Sequence, residues 1–207
     1  MSEYIFSYTA ATMMINETHS VAEVYAGNKD WDKTKDIILE DNIMQKNAIS
    51  SRKRVFVELK RRLEALSKEE FECLLGSSSS DVRAIIFLSI LKTYRFIYEF
   101  MVEVVRQKIL MFDYKILNSD YESFFENKKY HIEQLENITD STVSKIKQVL
   151  FKILEEATII DSTKSKNIQK PYLSPEIIEL IVKDEPKYLR AFLYTEYEIE
   201  KFKERFL

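Results

Sequence analysis

The chain has 207 residues, of which 45% are hydrophobic and 31% are charged, the balance of a globular protein rather than of a disordered tail or a fibre. Only two glycines and three prolines occur, too few for the turns of an all-β protein or the phosphate loops of a Rossmann-like fold, so helix is the expected element. The net charge of −3 means that any nucleic-acid role has to come from local groups of cations.

The cysteine content and the N-terminus indicate the cellular compartment. Cys73 is the single cysteine and cannot form an intrachain disulfide, which fits a reducing environment. The first residues lack the basic and apolar segments of a secretory signal. We therefore expect a cytoplasmic protein.

The first part of the chain predicts short helices. One is expected over residues 17–26, ending at Gly27, and Asp30 is placed to cap a second. Residues 43–47 have the composition of a connector.

A longer helix is predicted from Ser50 to about Leu66. Its apolar residues fall on one side of the helical wheel, and we expect them in the core: Val55, Phe56, Leu59, Leu63 and Leu66. Cations occupy the opposite side and its edges, and Glu58 is the only acid between Ser50 and Leu63. These cations, called the first basic set, are Arg52, Lys53, Arg54, Lys60, Arg61 and Arg62.

The middle of the chain predicts a short capped helix and a long apolar one. Ser67 and Glu70 have the spacing of a capping box, and the short helix should end at Gly76, before a serine linker at residues 77–80. Residues 81–111 are the most apolar stretch and predict one long core helix. Charged residues argue against a membrane span here: Lys92, Arg95, Glu99, Glu103, Arg106 and Lys108.

The C-terminal part predicts a helix followed by a β-hairpin. Thr139 and its neighbours cap an amphipathic helix that ends near Ala157. Ile159–Asp161 and Ile168–Leu173 are β-like runs joined by the polar turn 162–167. Cations in the helix and the turn form the second basic set: Lys145, Lys147, Lys152, Lys164, Lys166 and Lys170. A helix followed by a basic hairpin is the layout of a winged helix-turn-helix.

The predicted fold class is therefore all-α, mainly a helical bundle, with one small β-hairpin that forms the winged helix-turn-helix element. Ser174 and Pro175 start a further helix after the hairpin. The polar connector at His131 is the predicted domain boundary. It separates an N-terminal helical domain, residues 1–131, from a C-terminal helix-hairpin-helix domain, residues 132–207.

Motifs for catalysis and metal binding are missing from the sequence. It has no glycine-rich phosphate loop, no Gly-x-Ser-x-Gly and no His-Glu-x-x-His. His19 and His131 lie far apart, and one cysteine with two histidines is a poor zinc set. Cys73 lies on an apolar helix, where a buried inert thiol is commoner than a nucleophile. We expect no catalytic residue, no metal and no cofactor.

The two basic sets are the clearest functional signal. Closely spaced cations bind a phosphate backbone through the release of condensed counterions. Solvation of an exposed helix face explains either set taken alone equally well. The presence of both in an acidic protein favours contact with nucleic acid. The aromatic residues fall mostly on apolar faces, so a base-stacking platform is not indicated.

Several segments resemble a known family. They are Asn42–Lys46 leading into Arg52–Arg54, Ser141–Leu154, Asp161–Ser165, Ile168–Leu173 and Ser174–Glu176. On these segments the sequence resembles the BrxA family, small accessory proteins of BREX bacteriophage-exclusion systems. The resemblance covers nearly the whole chain and is most specific from Thr139 to Leu180.

The resemblance implies a cytoplasmic, mostly helical bacterial protein that binds double-stranded DNA. It also implies action together with other BREX proteins, including the methyltransferase and the ATPase, and a helical part similar to the NusB antitermination fold. Members of the family have also been labelled inner-membrane proteins, a label that the charged residues within 81–111 contradict. No invariant catalytic motif anchors the resemblance.

The sequence departs from the family pattern at two places. Lysine stands where relatives favour arginine in the second basic set, and Ala157-Thr158 replaces the usual Ala-Gly helix end. Lysine is a point charge and loses bidentate base recognition, so we expect binding that is largely independent of DNA sequence. The alternative is a protein-interaction adaptor that docks onto larger BREX components without touching DNA.

Overall fold

The structure, a computed structural model, describes residues 3–44, 48–76 and 78–207, and all regular secondary structure in these ranges is helical. The α-helices are α1 (Ile15–Asn28), α2 (Trp31–Glu40), α3 (Ile49–Glu64), α4 (Lys68–Gly76), α5 (Ser79–Thr93), α6 (Arg95–Phe100), α7 (Arg106–Leu110), α8 (Asn118–His131), α9 (Asp140–Glu156), α10 (Pro175–Asp184) and α11 (Glu196–Phe206). A π-helical turn, Met101–Val105, joins α6 to α7. Short 3-10 helices occur at Ser7–Ala10, Glu133–Leu135 and Pro186–Arg190.

The chain folds into two compact units. One unit consists of Met13–Thr93 and contains α1 to α5. The other combines Met1–Thr12 with Tyr94–Leu207 and contains α6 to α11. The boundary predicted between residues 131 and 132 coincides with neither junction, since residues on both sides of it belong to the second unit.

Side-chain caps define helix starts in the Met13–Thr93 unit. The Asp30 carboxylate accepts hydrogen bonds from the backbone N–H groups of Asp32 and Lys33 at the start of α2. The predicted capping box at α4 is confirmed. The Ser67 hydroxyl accepts from the Glu70 N–H at 3.2 Å, and the Glu70 carboxylate accepts from the Ser67 N–H at 2.8 Å.

The core of the Met13–Thr93 unit is built around α5. Every residue from Ala84 to Leu91 is buried, and the helix packs against α1, α3 and α4. A helix that is apolar on all sides is stable only when its whole circumference is covered. The core side predicted for α3 is confirmed in its buried members, which are Val55, Phe56, Leu59 and Leu63.

Aromatic rings form the core of the other unit. Phe100 of α6 lies edge-on to Phe124 of α8, with 5.2 Å between ring centroids, and edge-on to Phe151 of α9 at 6.0 Å. The predicted caps of α9 and α10 are confirmed: the Thr139 hydroxyl accepts from the Thr142 N–H, and the Ser174 hydroxyl accepts from the Ile177 N–H. Through Phe151, the apolar side of α9 packs against these rings.

The predicted β-hairpin and winged helix-turn-helix are wrong. The described part of the chain contains no strand and no sheet, only isolated bridges that pair Ile160 with Ile168 and Lys115 with Asn167. The cause is the turn, which curls around the Asp161 carboxylate. That carboxylate accepts hydrogen bonds from the backbone N–H and side chain of Asn167 and from the Ser165 hydroxyl. Side-chain bonding of this kind competes with a β ladder.

The single long helix predicted for residues 81–111 is also wrong. Tyr94 adopts an extended conformation, with φ −116° and ψ 92°, and ends α5 at Thr93 before α6 begins at Arg95. Helix continues from there through the π-helical turn into α7. None of the helices within the described ranges is both long and apolar enough to cross a membrane.

Some sequence predictions fall on residues outside the described ranges. Gln45, Lys46 and Asn47 belong to the predicted connector at residues 43–47, and Ser77 belongs to the predicted serine linker. Met1 and Ser2 of the N-terminus also lie outside them.

Candidate nucleic-acid interface

The N-terminal half of α3 carries the open part of the first basic set. Lys53 and Arg54 are exposed, and neither has an ion-pair partner among the residues that the structure describes. Arg52 is partly buried and donates a hydrogen bond to the carbonyl oxygen of Leu39 at 3.2 Å. No acid occurs in the sequence between Asp41 and Glu58, so the first two turns of α3 carry cations and no acid of their own.

The start of α3 adds positive potential to this region. The N-cap residue, Ala48, makes no side-chain cap hydrogen bond, and the first turn contains no acid. Unsatisfied N–H groups and the helix dipole make a helix N-terminus attractive to anions. The cations that follow in the second turn therefore increase a potential that the peptide groups already supply.

The C-terminal half of α3 is different, because its cations contact acids. Lys60 lies 3.7 Å from Glu64, and Arg61 lies 3.1 Å from Glu58. Arg62, which the helical wheel placed at the edge of the basic side, is fully buried. Lys60 also lies over the Trp31 ring, 5.4 Å from its centroid. The first basic set is thus open to a ligand mainly at Lys53 and Arg54.

Ion pairs engage half of the second basic set. The partners are glutamates: Lys147 with Glu122 at 3.1 Å, Lys152 with Glu155 at 2.7 Å and Lys170 with Glu198 at 2.7 Å. The hydrogen bond between Lys152 and Glu155 raises the pKa of the amine and lowers the pKa of the carboxyl, so both stay charged and their fields largely cancel.

The other half of the second basic set makes only neutral contacts or none. Lys145 donates to the Gln148 side chain at 3.1 Å, and Lys166 donates to the Asn118 side chain at 3.3 Å. Lys164 is exposed and has no ion-pair partner among the described residues. The positive field that remains from the second basic set therefore comes from Lys145 in α9 and from Lys164 and Lys166 in the 161–167 turn.

One group of exposed side chains was missed by the sequence reasoning. Met111 and Phe112 directly follow α7 and are 75% and 80% exposed. Their hydrophobicity had placed them at the end of a core helix, and no local signal indicates that the chain turns outwards here. Lys115 lies in the same loop, opposite Asn167 of the basic turn.

The groups considered for chemistry in the sequence do not come together. His19 contacts Glu23 at 3.5 Å, His131 is exposed, and Cys73 is partly buried. No group of three or more histidine, cysteine or acidic residues that could hold a metal ion is found across the described ranges.

Comparisons with known proteins place the chain in a family. The BrxA family model matches residues 2–185. A BREX protein BrxA from Bacillus cereus strain H3081.97 is 31% identical over 156 residues, 75% of this chain and 78% of the relative. A BREX protein BrxA from Escherichia coli O9:H4 strain HS is 24% identical over 164 residues, 79% of this chain and 77% of the relative.

A solved structure shares the fold. The crystal structure of an uncharacterized protein from Magnetospirillum magneticum has a TM-score of 0.82 and 19% sequence identity, and the match covers 92% of this chain and 98% of that one. The family match over most of the length and the identity to the Bacillus relative agree with the resemblance seen in the sequence, and the chain belongs to the BrxA family of BREX phage-defence systems.

Proposed function

We propose that this protein is a non-enzymatic, cytoplasmic accessory of its BREX system that binds the phosphate backbone of double-stranded DNA, largely independently of sequence. The observation that carries the proposal is the pair of exposed cations Lys53 and Arg54, without an acidic partner in the described ranges, beside the uncapped start of α3. Other BREX components are further expected partners, given the family to which the chain belongs.

The electrostatics of α3 favour an anionic ligand. The helix dipole disfavours cations near a helix N-terminus, and this effect is weaker for the second-turn cations of α3 than it would be within the first turn. Arg52, Lys53 and Arg54 also repel one another, and the only acid within one helical turn of them is Glu58, which is buried and engaged with Arg61. A phosphate backbone would relieve both effects, because it brings negative charge to this end of the helix.

Lys145, Lys164 and Lys166 support phosphate contact by the other unit. Each is free of a carboxylate in the described residues, unlike Lys147, Lys152 and Lys170. A lysine that is paired with a glutamate has to break that ion pair before it binds a phosphate, which reduces its contribution to the binding free energy. We therefore propose that the first three lysines supply most of this unit's affinity and that the other three supply little.

The types of cation indicate backbone binding. Lysine has a flexible stem and a compact charge, and it lacks the planar fork with which arginine recognises guanine. The three open cations of the second set are all lysines. We propose that they bind phosphates that border either groove and contribute little to the recognition of base sequence.

An adaptor role is the second candidate, and exposed apolar residues on α3 favour it. Ile49 is 62% exposed and Val57 is 50% exposed, four residues on either side of Lys53. A protein surface would bury these side chains as readily as a DNA groove. The two candidates differ in whether binding requires phosphates.

A salt titration of DNA binding separates the candidates. Anisotropy measured with several duplexes of unrelated sequence should give affinities that fall linearly with salt on logarithmic axes. The variant Lys53→Glu/Arg54→Glu should weaken binding to every duplex and reduce the slope by roughly 0.9 for each phosphate that the protein no longer neutralises.

A control variant carries the same change of charge elsewhere. Lys201→Glu/Lys203→Glu reverses two lysines of α11 that are already paired with Glu204 and Glu200, so DNA affinity should change much less. Absence of DNA binding by the wild-type protein at low salt would reject the proposal and favour the adaptor. An equal loss in both double variants would mean that net charge, and not α3, governs binding.

A further inference from the structure

The loop that follows α7 exposes an unusual amount of apolar surface. It is called the 111–117 loop here, and it begins with Met111 and Phe112, the two most exposed of its apolar side chains. The other large apolar side chains that are exposed in the loop or just before it are Leu110, Tyr114 and Leu117. Grouped apolar side chains that are exposed on a protein surface mark an interaction site.

Phe112 occupies a backbone conformation that suits glycine. Its φ of 58° is left-handed, and it lies at the end of a Schellman motif. In this motif the Phe112 N–H bonds to the Ile109 carbonyl and the Asp113 N–H bonds to the Lys108 carbonyl. A bulky residue is strained in this conformation, and an 80% exposed ring returns no packing energy to the fold. The fold by itself gives no reason for phenylalanine at this position.

Both ends of the loop are fixed, so the exposed side chains are held in place. Lys108 pairs with Asp113 at 2.7 Å and with Asp120 at 2.9 Å, which ties the start of the loop to α8. The Ile168 N–H bonds to the Tyr114 carbonyl at 2.7 Å, and the Ile116 N–H bonds to the Lys166 carbonyl at 3.0 Å. A preorganised loop loses little entropy when it binds a ligand.

The charge next to this loop is positive. The same backbone pairing brings the loop against the turn that carries Lys164 and Lys166, and Lys115 lies opposite Asn167. Neither Lys115 nor Lys164 has an ion-pair partner among the described residues. The acid of the loop, Asp113, is neutralised by Lys108. Exposed apolar side chains flanked by open lysines match the chemistry of DNA, where stacked bases lie between two rows of phosphates.

We propose that Met111 and Phe112 form an apolar wedge that enters a base step of bound DNA while Lys115, Lys164 and Lys166 hold the adjacent phosphates. The inference rests on the proposed DNA binding and adds its mode. Apolar side chains of this kind insert between base pairs and partly unstack them in architectural DNA-binding proteins. The wedge favours duplexes that unstack easily, such as one with a mismatch, without reading their sequence.

The test compares a perfect duplex with the same duplex carrying one central mismatch beside 2-aminopurine. The wild-type protein should bind the mismatched duplex more tightly and increase the 2-aminopurine fluorescence as the base unstacks. Phe112→Ala should lose the fluorescence change and weaken binding to the mismatched duplex by about tenfold, the typical effect of removing one aromatic ring that stacks on a base. Its salt slope should stay that of the wild type, because the lysines are unchanged.

Two further variants keep the test decisive. Phe112→Gly removes the ring and relieves the backbone, so it folds at least as well as the wild type and should show the same loss. Tyr197→Ala removes an aromatic ring of similar exposure from α11, among Glu196, Glu198 and Glu200, and should behave as the wild type. If both Phe112 variants still increase the 2-aminopurine fluorescence and still prefer the mismatched duplex, the wedge is overturned and the proposal of DNA binding stands.

Other outcomes reject the wedge for different reasons. Equal effects of Phe112→Ala and Tyr197→Ala would mean that any exposed ring contributes in the same way. Binding to vesicles of anionic phospholipid that Phe112→Ala abolishes, with DNA binding unchanged, would assign the loop to a membrane surface. Dimerisation that Phe112→Ala abolishes would assign it to a second copy of the chain. Failure of the wild-type protein to bind any duplex would overturn the proposed function together with the wedge.

Discussion

Lys92 and Glu70 form a buried ion pair in the Met13–Thr93 unit, with the lysine Nζ 2.5 Å from the glutamate Oε2. Their side chains are only 7% and 1% exposed. Glu70 belongs to the capping box of α4 and Lys92 lies in the last turn of α5, so the contact links these two helices. Two desolvated charges at this separation depend on each other far more than a surface pair does.

Removal of one partner of this ion pair should therefore strongly destabilise the protein. We expect Lys92→Met to lower the free energy of unfolding by about 3–5 kcal/mol, because it leaves the Glu70 charge in an apolar environment. Denaturant unfolding followed by circular dichroism measures this change. The double variant Lys92→Met/Glu70→Gln should recover part of the loss, whereas Lys183→Met, at an exposed pair with Glu179, should cost less than about 1 kcal/mol. Equal effects of Lys92→Met and Lys183→Met would contradict the buried pair.

The aromatic core of the unit that contains α6 to α11 can be tested at Phe100. The ring is fully buried and contacts Tyr121, Phe124 and Phe151 on two further helices. Phe100→Ala should lower the free energy of unfolding by about 3–5 kcal/mol, since it removes apolar contact and leaves a cavity. Thermal or denaturant unfolding gives the value, and Phe112→Ala is the matched control at an exposed position. A loss below about 1 kcal/mol for Phe100→Ala would mean that the core collapses around the missing ring.

Helix starts were the most predictable feature of this fold, because their causes lie within four residues. Ser67 with Glu70, Thr139 and Ser174 each make the cap hydrogen bond that their sequence pattern predicts. The break at Tyr94 has no such signal, since neither glycine nor proline occurs near it. The extended conformation at that residue separates helices that belong to different units, which is a property of tertiary packing.

The candidate site was predictable as a set of residue types and not as an electrostatic surface. The paired lysines show why: Lys147 meets Glu122 and Lys170 meets Glu198, over separations of 25 and 28 residues that helical periodicity does not reach. The hairpin failed for a local reason, because the Asp161 carboxylate accepts a hydrogen bond from the Asn167 backbone N–H, a donor that a β ladder would have used. Lysines without an acidic partner in the described residues are therefore a smaller group than the sequence indicates.

The stability of the 161–167 turn should depend on pH. Hydrogen bonds from Ser165 and Asn167 hold the pKa of the Asp161 carboxyl below its ordinary value of 3.8. Because the pKa in the folded state lies below that in the unfolded state, the carboxylate stabilises the turn at neutral pH, and this stabilisation is lost as pH falls below about 4 through the folded-state pKa. The amide resonances of Ser165 and Asn167 should shift together in an NMR titration. Asp161→Asn should abolish this transition, and a titration midpoint above 3.8 would contradict the hydrogen bonds to the carboxylate.

Glycine substitutions at two left-handed residues should have opposite effects on stability. Phe112 and Leu193 have φ values of 58° and 66°, but Phe112 is 80% exposed whereas Leu193 is 2% exposed. Relief of backbone strain is worth about 1 kcal/mol at either position. Phe112→Gly should raise the free energy of unfolding by about that amount, because its ring contributes no packing.

Leu193→Gly should instead lower the free energy of unfolding by about 2 kcal/mol or more, since it deletes a buried side chain whose packing outweighs the strain. Chemical denaturation of both variants under the same conditions measures the contrast. If Phe112→Gly were destabilising, the ring would have a structural role within the protein. The strain at residue 112 would then need no ligand to explain it, and the case for the DNA wedge would lose its physical basis.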